Sequence, residues 1–335
     1  MTNTNRKIWI DWFKVIGMVL IIWGHMFPYY FSDFVYAFSV PVFFWASGYL
    51  ANTDTDKKVF FHKIWKSLVV PYVLICIANL VASLVISHSR FLSLPGVLQS
   101  LAAIPLGIQR FPSQVAVGVG SLWFVYALGI LKIIHRFTNL KVMAVMSVVA
   151  LLIIWLIKPS DCCWAAPSTF LCMPFYTLGA YCRRQNTKML DRIMKLPSWW
   201  LLFVFIVATV ALYVLSGINS APYFYKLEYG NYILLMLFNA LLGILLLAIC
   251  SKYLERYSKS HVILPVLNAG MIVILGFQRW FVLLVTYFTK PRISNHFVYD
   301  MLTLVLSILI LLMFVPIIKQ FAKYFPPILG YRKSK

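Results

Sequence analysis

Three ionisable side chains, Asp11, Lys14 and His25, stand inside the apolar run DWFKVIGMVLIIWGHMFPYY of residues 11–30. An imidazole exchanges protons near neutrality, an ammonium binds anions, and a carboxylate nearby can orient the ammonium. On a helix turning about 100° per residue, Lys14 and His25, eleven positions apart, return to nearly the same face, and Asp11 falls on that stripe as well. A charged group at mid-membrane costs about 2.5–3.5 kcal/mol on insertion scales, so the stripe must face protein or a wet cavity. At about 1.5 Å of rise per residue the two basic groups are roughly 16 Å apart and cannot touch. They suit two tasks at two depths, a cation near the cytoplasmic mouth and a proton acceptor deep in the membrane. The simpler accounts are a snorkelling Lys14 paired with Asp11 and a hydrogen-bonded packing histidine.

Other residues invite the same question. Lys63, Lys66, Arg183 and Arg184 lie at the ends of apolar runs and form a candidate anion-docking patch. Ordinary charge asymmetry between loops accounts for such cations equally well. The segment INSAPYFYKLEYGNY, residues 218–232, mixes Asn219, Glu228 and Asn231 with Tyr223, Phe224, Tyr225, Tyr229 and Tyr232. Aromatic faces with amides and carboxylates suit a sugar, although tyrosines also collect at membrane interfaces. Arg279 stands near the middle of a long apolar run, where it is costly in lipid and suited to an oxyanion or a substrate anion; Gln278 beside it belongs to the same polar site.

The elements that must position these groups are membrane helices. Of 335 residues, 62% are hydrophobic and 12% charged, and the mean hydropathy is +0.84, outside the range of a soluble domain. The formal charge of +21 is spread between apolar runs and forms no single basic face, which argues against nucleic acid as a partner. The first run has no cleavage site behind it and reads as a retained helix. The pattern predicts an all-α polytopic protein, one domain over 1–335, with about ten spans at 8–30, 34–51, 67–87, 121–138, 142–157, 168–182, 198–217, 232–251, 262–288 and 298–318. With the N-terminus inside, 22 of the 30 Lys and Arg fall on the cytoplasmic side and 6 outside, with Lys14 and Arg279 within spans, so both termini are expected in the cytoplasm. The six cysteines show no disulfide framework and no metal-ligand spacing. The longest loop, 88–120, suits either a re-entrant segment or part of a lid over an outer cavity.

Several motifs fall in a familiar order. Lys14-x10-His25 is followed by PVFFWASGYL with Pro41, Phe43, Phe44, Ser47 and Gly48, then by Lys63 and Lys66 ahead of Pro71, LWFVYAL at 122–128, PFYTLGAY at 174–181 and NSAPYFYKLEYGN at 219–231. Together they resemble the acyltransferase-3 family of membrane O-acyltransferases, and in particular its fucose 4-O-acetylase-like branch. The resemblance implies about ten helices and transfer of an acyl group, commonly acetyl from cytosolic acetyl-CoA, to sugars of cell-envelope polysaccharides, in a multi-pass protein of the bacterial inner or plasma membrane. Some members carry an SGNH domain; this chain runs to Lys335 without one. Two family histidines are replaced: Ser39 stands before the proline motif, and Gln278 ends GMIVILGFQ. Glutamine hydrogen-bonds but does not exchange protons near neutral pH, so a relay through those positions is not expected.

Residue chemistry agrees with that class. The phosphates of an acyl-CoA donor suit Lys63, Lys66, Arg183 and Arg184, with Lys14 just inside, and neutral His25 suits the base that activates an acceptor hydroxyl. The pantetheine arm is long enough to join the two depths. The competing functions are transfer of another acyl group, such as succinyl, and transport of a polysaccharide or lipid-linked sugar. Transporters often show internal repeats, and the sequence shows none. The donor is a transient partner rather than a permanent cofactor, the acceptor sugar and membrane lipid are the other partners, and nothing in the sequence sets the oligomeric state.

Overall fold

A computed structural model describes residues 7–52, 56–86, 93–111, 116–159, 162–184, 193–195, 197–257 and 263–330. The chain ends at 1–6 and 331–335, whose cytoplasmic placement the charge pattern predicts, lie outside the described residues, as do 87–92 and 112–115 of the long loop. The described chain is helical, with one isolated β-bridge between Ile108 and Trp164. It opens with α1 (Ile8–Gly24) and α2 (Ser32–Tyr49). Next, α3 (Lys57–Ile64) passes through a π-helical turn, Trp65–Val69, into α4 (Val70–Ile86). There follow α5 (Leu94–Leu106), α6 (Trp123–Phe137), α7 (Leu140–Ile157), α8 (Ala165–Arg184) and α9 (Ser198–Asn219). The chain closes with α10 (Ile233–Tyr257), α11 (Ile263–Ala269), α12 (Met271–Thr289) and α13 (His296–Tyr324).

Among the described residues, six stretches are long and apolar enough to cross a membrane: Lys57–Ile86, Leu140–Ile157, Ser198–Lys226, Ile233–Tyr257, Met271–Thr289 and His296–Tyr324. The protein is a multi-pass membrane protein. Four other predicted spans form helices that fall short of that standard. With 17 and 15 residues, α1 and α6 are short, while α2 and α8 carry Pro41 and Pro174 among small polar residues. These are largely the central helices: α2 packs against α1, α8 and α10. A helix walled by protein need not be oily, because lipid never solvates it. The predicted ninth span, 262–288, is in fact two helices. It breaks at Gly270, where Ile318 of α13 occupies the space a side chain would need.

The tightest crossing joins α2 to α8. A methyl group on Gly48 would overlap the carbonyl oxygen of Tyr176, and one on Gly179 would overlap that of Trp45. Backbone therefore lies on backbone, the close approach that small residues permit between membrane helices. Helix ends are tied at one face by Lys7 Nζ donating to Tyr49 Oη at 2.8 Å, by the Trp9 N–H donating to Glu255 Oε1 at 3.0 Å, and by Arg183 donating to the Ala51 carbonyl.

Gly48→Ala is expected to destabilise the protein by about 1–3 kcal/mol, the cost of overpacking. Gly129→Ala meets nothing within 4 Å and is expected to be neutral or to stabilise by up to about 1 kcal/mol. Thermal unfolding in detergent checks both, and equal effects would remove the α2–α8 contact as the frame of the fold.

Candidate active site

His25 caps the C-terminal end of α1, one residue beyond its last turn, and is half-buried. The carbonyl of the preceding Gly24 accepts a hydrogen bond from Tyr36 Oη of α2 at 2.9 Å. Across from it stands α12, and the charge of Arg279 reaches the His25 imidazole. One guanidinium nitrogen of Arg279 lies 4.0 Å from where a β-carbon on Gly120 would stand. Gly120, at φ +55°, begins the 3-10 turn Gly120–Leu122 that leads into α6. Arg279 is exposed despite its place in mid-helix. Beside it Gln278 is fully buried, and neither atom of its amide has a hydrogen-bond partner among the described residues. A buried amide gains about 1–3 kcal/mol from acquiring one.

The position of α12 is set from α4. Asn79 donates from Nδ2 to the Gly276 carbonyl at 3.0 Å and accepts from Trp280 Nε1 at 2.8 Å, bracketing Gln278 and Arg279 on both sides. Ile75 fills the space beside Gly276, which has no room for a side chain. Two apolar grooves, of about 480 and 640 Å³, lie elsewhere, along α7 and α8 and between α4, α5 and α6. Neither is lined by His25 or Arg279.

At the other end of α1, Lys14 Nζ stands 3.8 Å from Asp11 Oδ1, the pair predicted from their spacing. The Asp11 carbonyl accepts from Asn268 Nδ2 of α11 at 3.3 Å. Lys132 of α6 is half-buried, and the charges of Lys14 and Lys63 both reach it, so three ammonium groups from three helices converge. Lys63 is exposed on α3, and Lys66 is half-buried within the π-helical turn. Arg184 reaches His135, whose Nδ1 lies 3.3 Å from Tyr176 Oη. Arg183 is engaged by the Ala51 carbonyl and ties α8 to the end of α2.

The 218–232 segment divides the predicted sugar-binding residues into two groups. Asn219 is buried, donating to the Tyr229 carbonyl at 2.9 Å and accepting the Tyr232 N–H at 2.8 Å. Asn231 donates to the Ile218 carbonyl at 2.9 Å. Both amides thus brace their own loop. Phe224 and Tyr229 are buried, Phe224 packing on Phe175 with ring centroids 5.9 Å apart. Tyr223, Tyr225, Lys226 and Glu228 remain partly open, with Lys226 Nζ 3.8 Å from Glu228 Oε1 and 5.3 Å from the Tyr223 ring centre. The Tyr223 ring lies 5.3 Å from that of Tyr36, and this contact carries the loop to the Gly24–His25 end of α1. Burial, with the carboxylates of Asp33 and Glu228 nearby, pushes the Tyr223 phenol up, so it stays a protonated hydrogen-bond donor.

Part of the long loop forms a cover over this end. Gln109 N–H donates to the Cys163 carbonyl at 2.8 Å, Ala165 N–H to the Gly107 carbonyl at 2.9 Å, Gly120 N–H to the Gln109 carbonyl at 3.0 Å, and Cys162 N–H to the Lys226 carbonyl at 3.2 Å. Three loops are stitched together by main-chain bonds, and one of them carries the Gly120 turn against Arg279.

Two charged residues in this architecture escaped the sequence reading. Lys132 sits inside an apolar run. Asp300 lies near the start of the last apolar run and is fully buried in α13, where its carboxylate receives the main-chain N–H groups of Tyr29 and Tyr30. The signal that singled out Asp11, Lys14 and Arg279, an ionisable group within a span, was present for both.

Residues 7–320 match the acyltransferase-3 family, described as an acyltransferase domain. No curated protein and no solved structure matches the chain.

The separation of the two ends can be checked directly. In a background without the native cysteines, a cysteine at the exposed Tyr232 position is expected to react with an impermeant maleimide in intact cells, while one at Lys63 stays protected until the membrane is opened. Labelling at Lys63 in intact cells would invert the arrangement.

Proposed function

The chain belongs to the acyltransferase-3 family of enzymes, and from that premise we propose that it carries an acetyl group from cytosolic acetyl-CoA to a sugar hydroxyl of a cell-surface polysaccharide or its lipid-linked precursor. The reading includes ten spans, cytoplasmic termini, a place in the bacterial inner or plasma membrane, and the fucose 4-O-acetylase-like branch of the family. The observation that carries it is the division of labour along α1. The charges of Lys14 and Lys63 reach Lys132 at one end, and that of Arg279 reaches His25 at the other.

On this reading the lysines, with Lys66 and Arg184, hold the donor's phosphates, Asp11 orients Lys14, and the pantetheine arm spans the roughly 16 Å to His25. Neutral His25 takes the proton of the acceptor hydroxyl as its oxygen attacks the thioester carbonyl. The new C–O bond leaves an oxyanion, which the Arg279 guanidinium and the Gln278 amide stabilise as donors. Collapse breaks the C–S bond, and the CoA thiolate leaves with the proton returned from the imidazolium. Tyr223, Tyr225 and Glu228 offer an acceptor two aromatic faces and a carboxylate.

Purified protein given acetyl-CoA is expected to transfer acetyl to envelope glycan, and mass spectrometry of glycan from deletion and complemented strains should differ by one acetyl group per modified sugar. His25→Ala is expected to lower turnover by about 10² to 10⁴ with acetyl-CoA binding intact, and His25→Gln should not rescue it. Lys14→Ala and Lys132→Met should each weaken acetyl-CoA binding and reduce its salt dependence, Lys14→Arg restoring much of the loss. Full transfer by His25→Ala would overturn the assignment of the base.

A further inference from the structure

The turn that joins α1 to α2 carries His25, and main-chain bonds hold its first part, the His25, Met26 and Phe27 N–H groups donating to the Ile21, Trp23 and Gly24 carbonyls at 3.1, 2.9 and 3.0 Å. Phe27 sits at φ 53°, a left-handed conformation that residues with a β-carbon rarely adopt, and keeps 55% of its surface exposed. Beyond Phe27 the restraint comes from the start of α13. Asp300 Oδ1 accepts the Tyr29 N–H at 2.7 Å and Oδ2 accepts the Tyr30 N–H at 2.8 Å. Its main-chain carbonyl and Thr303 Oγ1 each lie 3.2 Å from Trp23 Nε1, and Tyr299 Oη donates to the Met26 carbonyl at 2.8 Å. One turn of α13 therefore grips the chain on both sides of His25.

A carboxylate with 0% exposure is an expensive way to cap two amides, since desolvation offsets much of what the bonds return. Its advantage is geometric. Two oxygens fixed in one plane hold two successive N–H groups through charge-assisted bonds, which an uncharged side chain does less tightly. We infer that Asp300 is a positioning residue, whose carboxylate sets the turn after α1 and with it the place of the His25 imidazole opposite Arg279. This inference rests on the reading of His25 as the base.

The test compares Asp300→Asn, Thr303→Val and His25→Ala, using radiolabelled acetyl-CoA and membranes of a deletion strain as acceptor. In parallel, Phe27→Cys, alone and combined with each α13 change, reports the looseness of the turn through its rate of maleimide labelling. Asp300→Asn keeps the shape and one acceptor. It is expected to lower kcat by up to about 100-fold, as a displaced catalytic group does, and to quicken labelling. The KM for acetyl-CoA should stay within about twofold, because the donor phosphates bind at the other end of α1. Thr303→Val, which removes only a hydroxyl, is expected to act in the same direction by about threefold. Should Asp300→Asn fail to fold, Thr303→Val decides: wild-type kcat with wild-type labelling overturns the inference. The same result in Asp300→Asn overturns it, as does a loss shared equally by kcat and acetyl-CoA binding. Inactive His25→Ala beside fully active Asp300→Asn would condemn this inference alone, whereas full transfer by His25→Ala would remove the base and the inference together.

Discussion

A guanidinium and an imidazole placed within the span of a membrane require a wall between themselves and lipid, and the architecture follows from building that wall. Arg279 sits at the middle of an apolar helix and His25 at the end of another, and the charge of one reaches the other. Neither position is tolerable on an isolated helix in hydrocarbon, where each charge costs a few kcal/mol. The fold meets the requirement by enclosing α1, α2 and α8, with α2 packed on both of the others, and leaving α7, α9 and α13 with much of their surface uncovered by protein.

Positioning within that enclosure depends on main-chain contacts. The α2–α8 crossing is backbone against backbone, the outer cover is laced by amide–carbonyl bonds between loops, and α12 is pinned by Asn79 through the Gly276 carbonyl and the Trp280 indole. Main-chain groups in a membrane interior have no water to fall back on, so each such bond is also a requirement of solvation. The SGYL motif of α2 finds its explanation here, since Gly48 is where the frame closes.

The stripe of Asp11, Lys14 and His25 was legible because charge in an apolar run is rare enough to stand out, and the Asp11–Lys14 pair followed from helical spacing alone. The membrane class and most helix positions came from hydropathy. The break at Gly270 did not, because glycine in an apolar run looks the same whether it continues a helix or makes room for Ile318 from another helix. Residue type marked Asn219 and Asn231 as polar groups at the outer face but was silent on their partners, which turn out to lie in their own loop. Convergence of α1, α4, α12 and the Gly120 turn is a property of packing between distant segments, and no local pattern encodes it.

The cover over the outer end has an evolutionary corollary. Its three loops are joined through backbone amides and carbonyls, bonds that nearly any residue supplies, while Tyr223, Tyr225 and Glu228 project partly free of that lacing. Exchanging those side chains leaves the lattice beneath them untouched. The α2–α8 crossing, where glycine meets carbonyl, has no such freedom. A scaffold built this way tolerates exchange in its loops while the crossing beneath stays fixed.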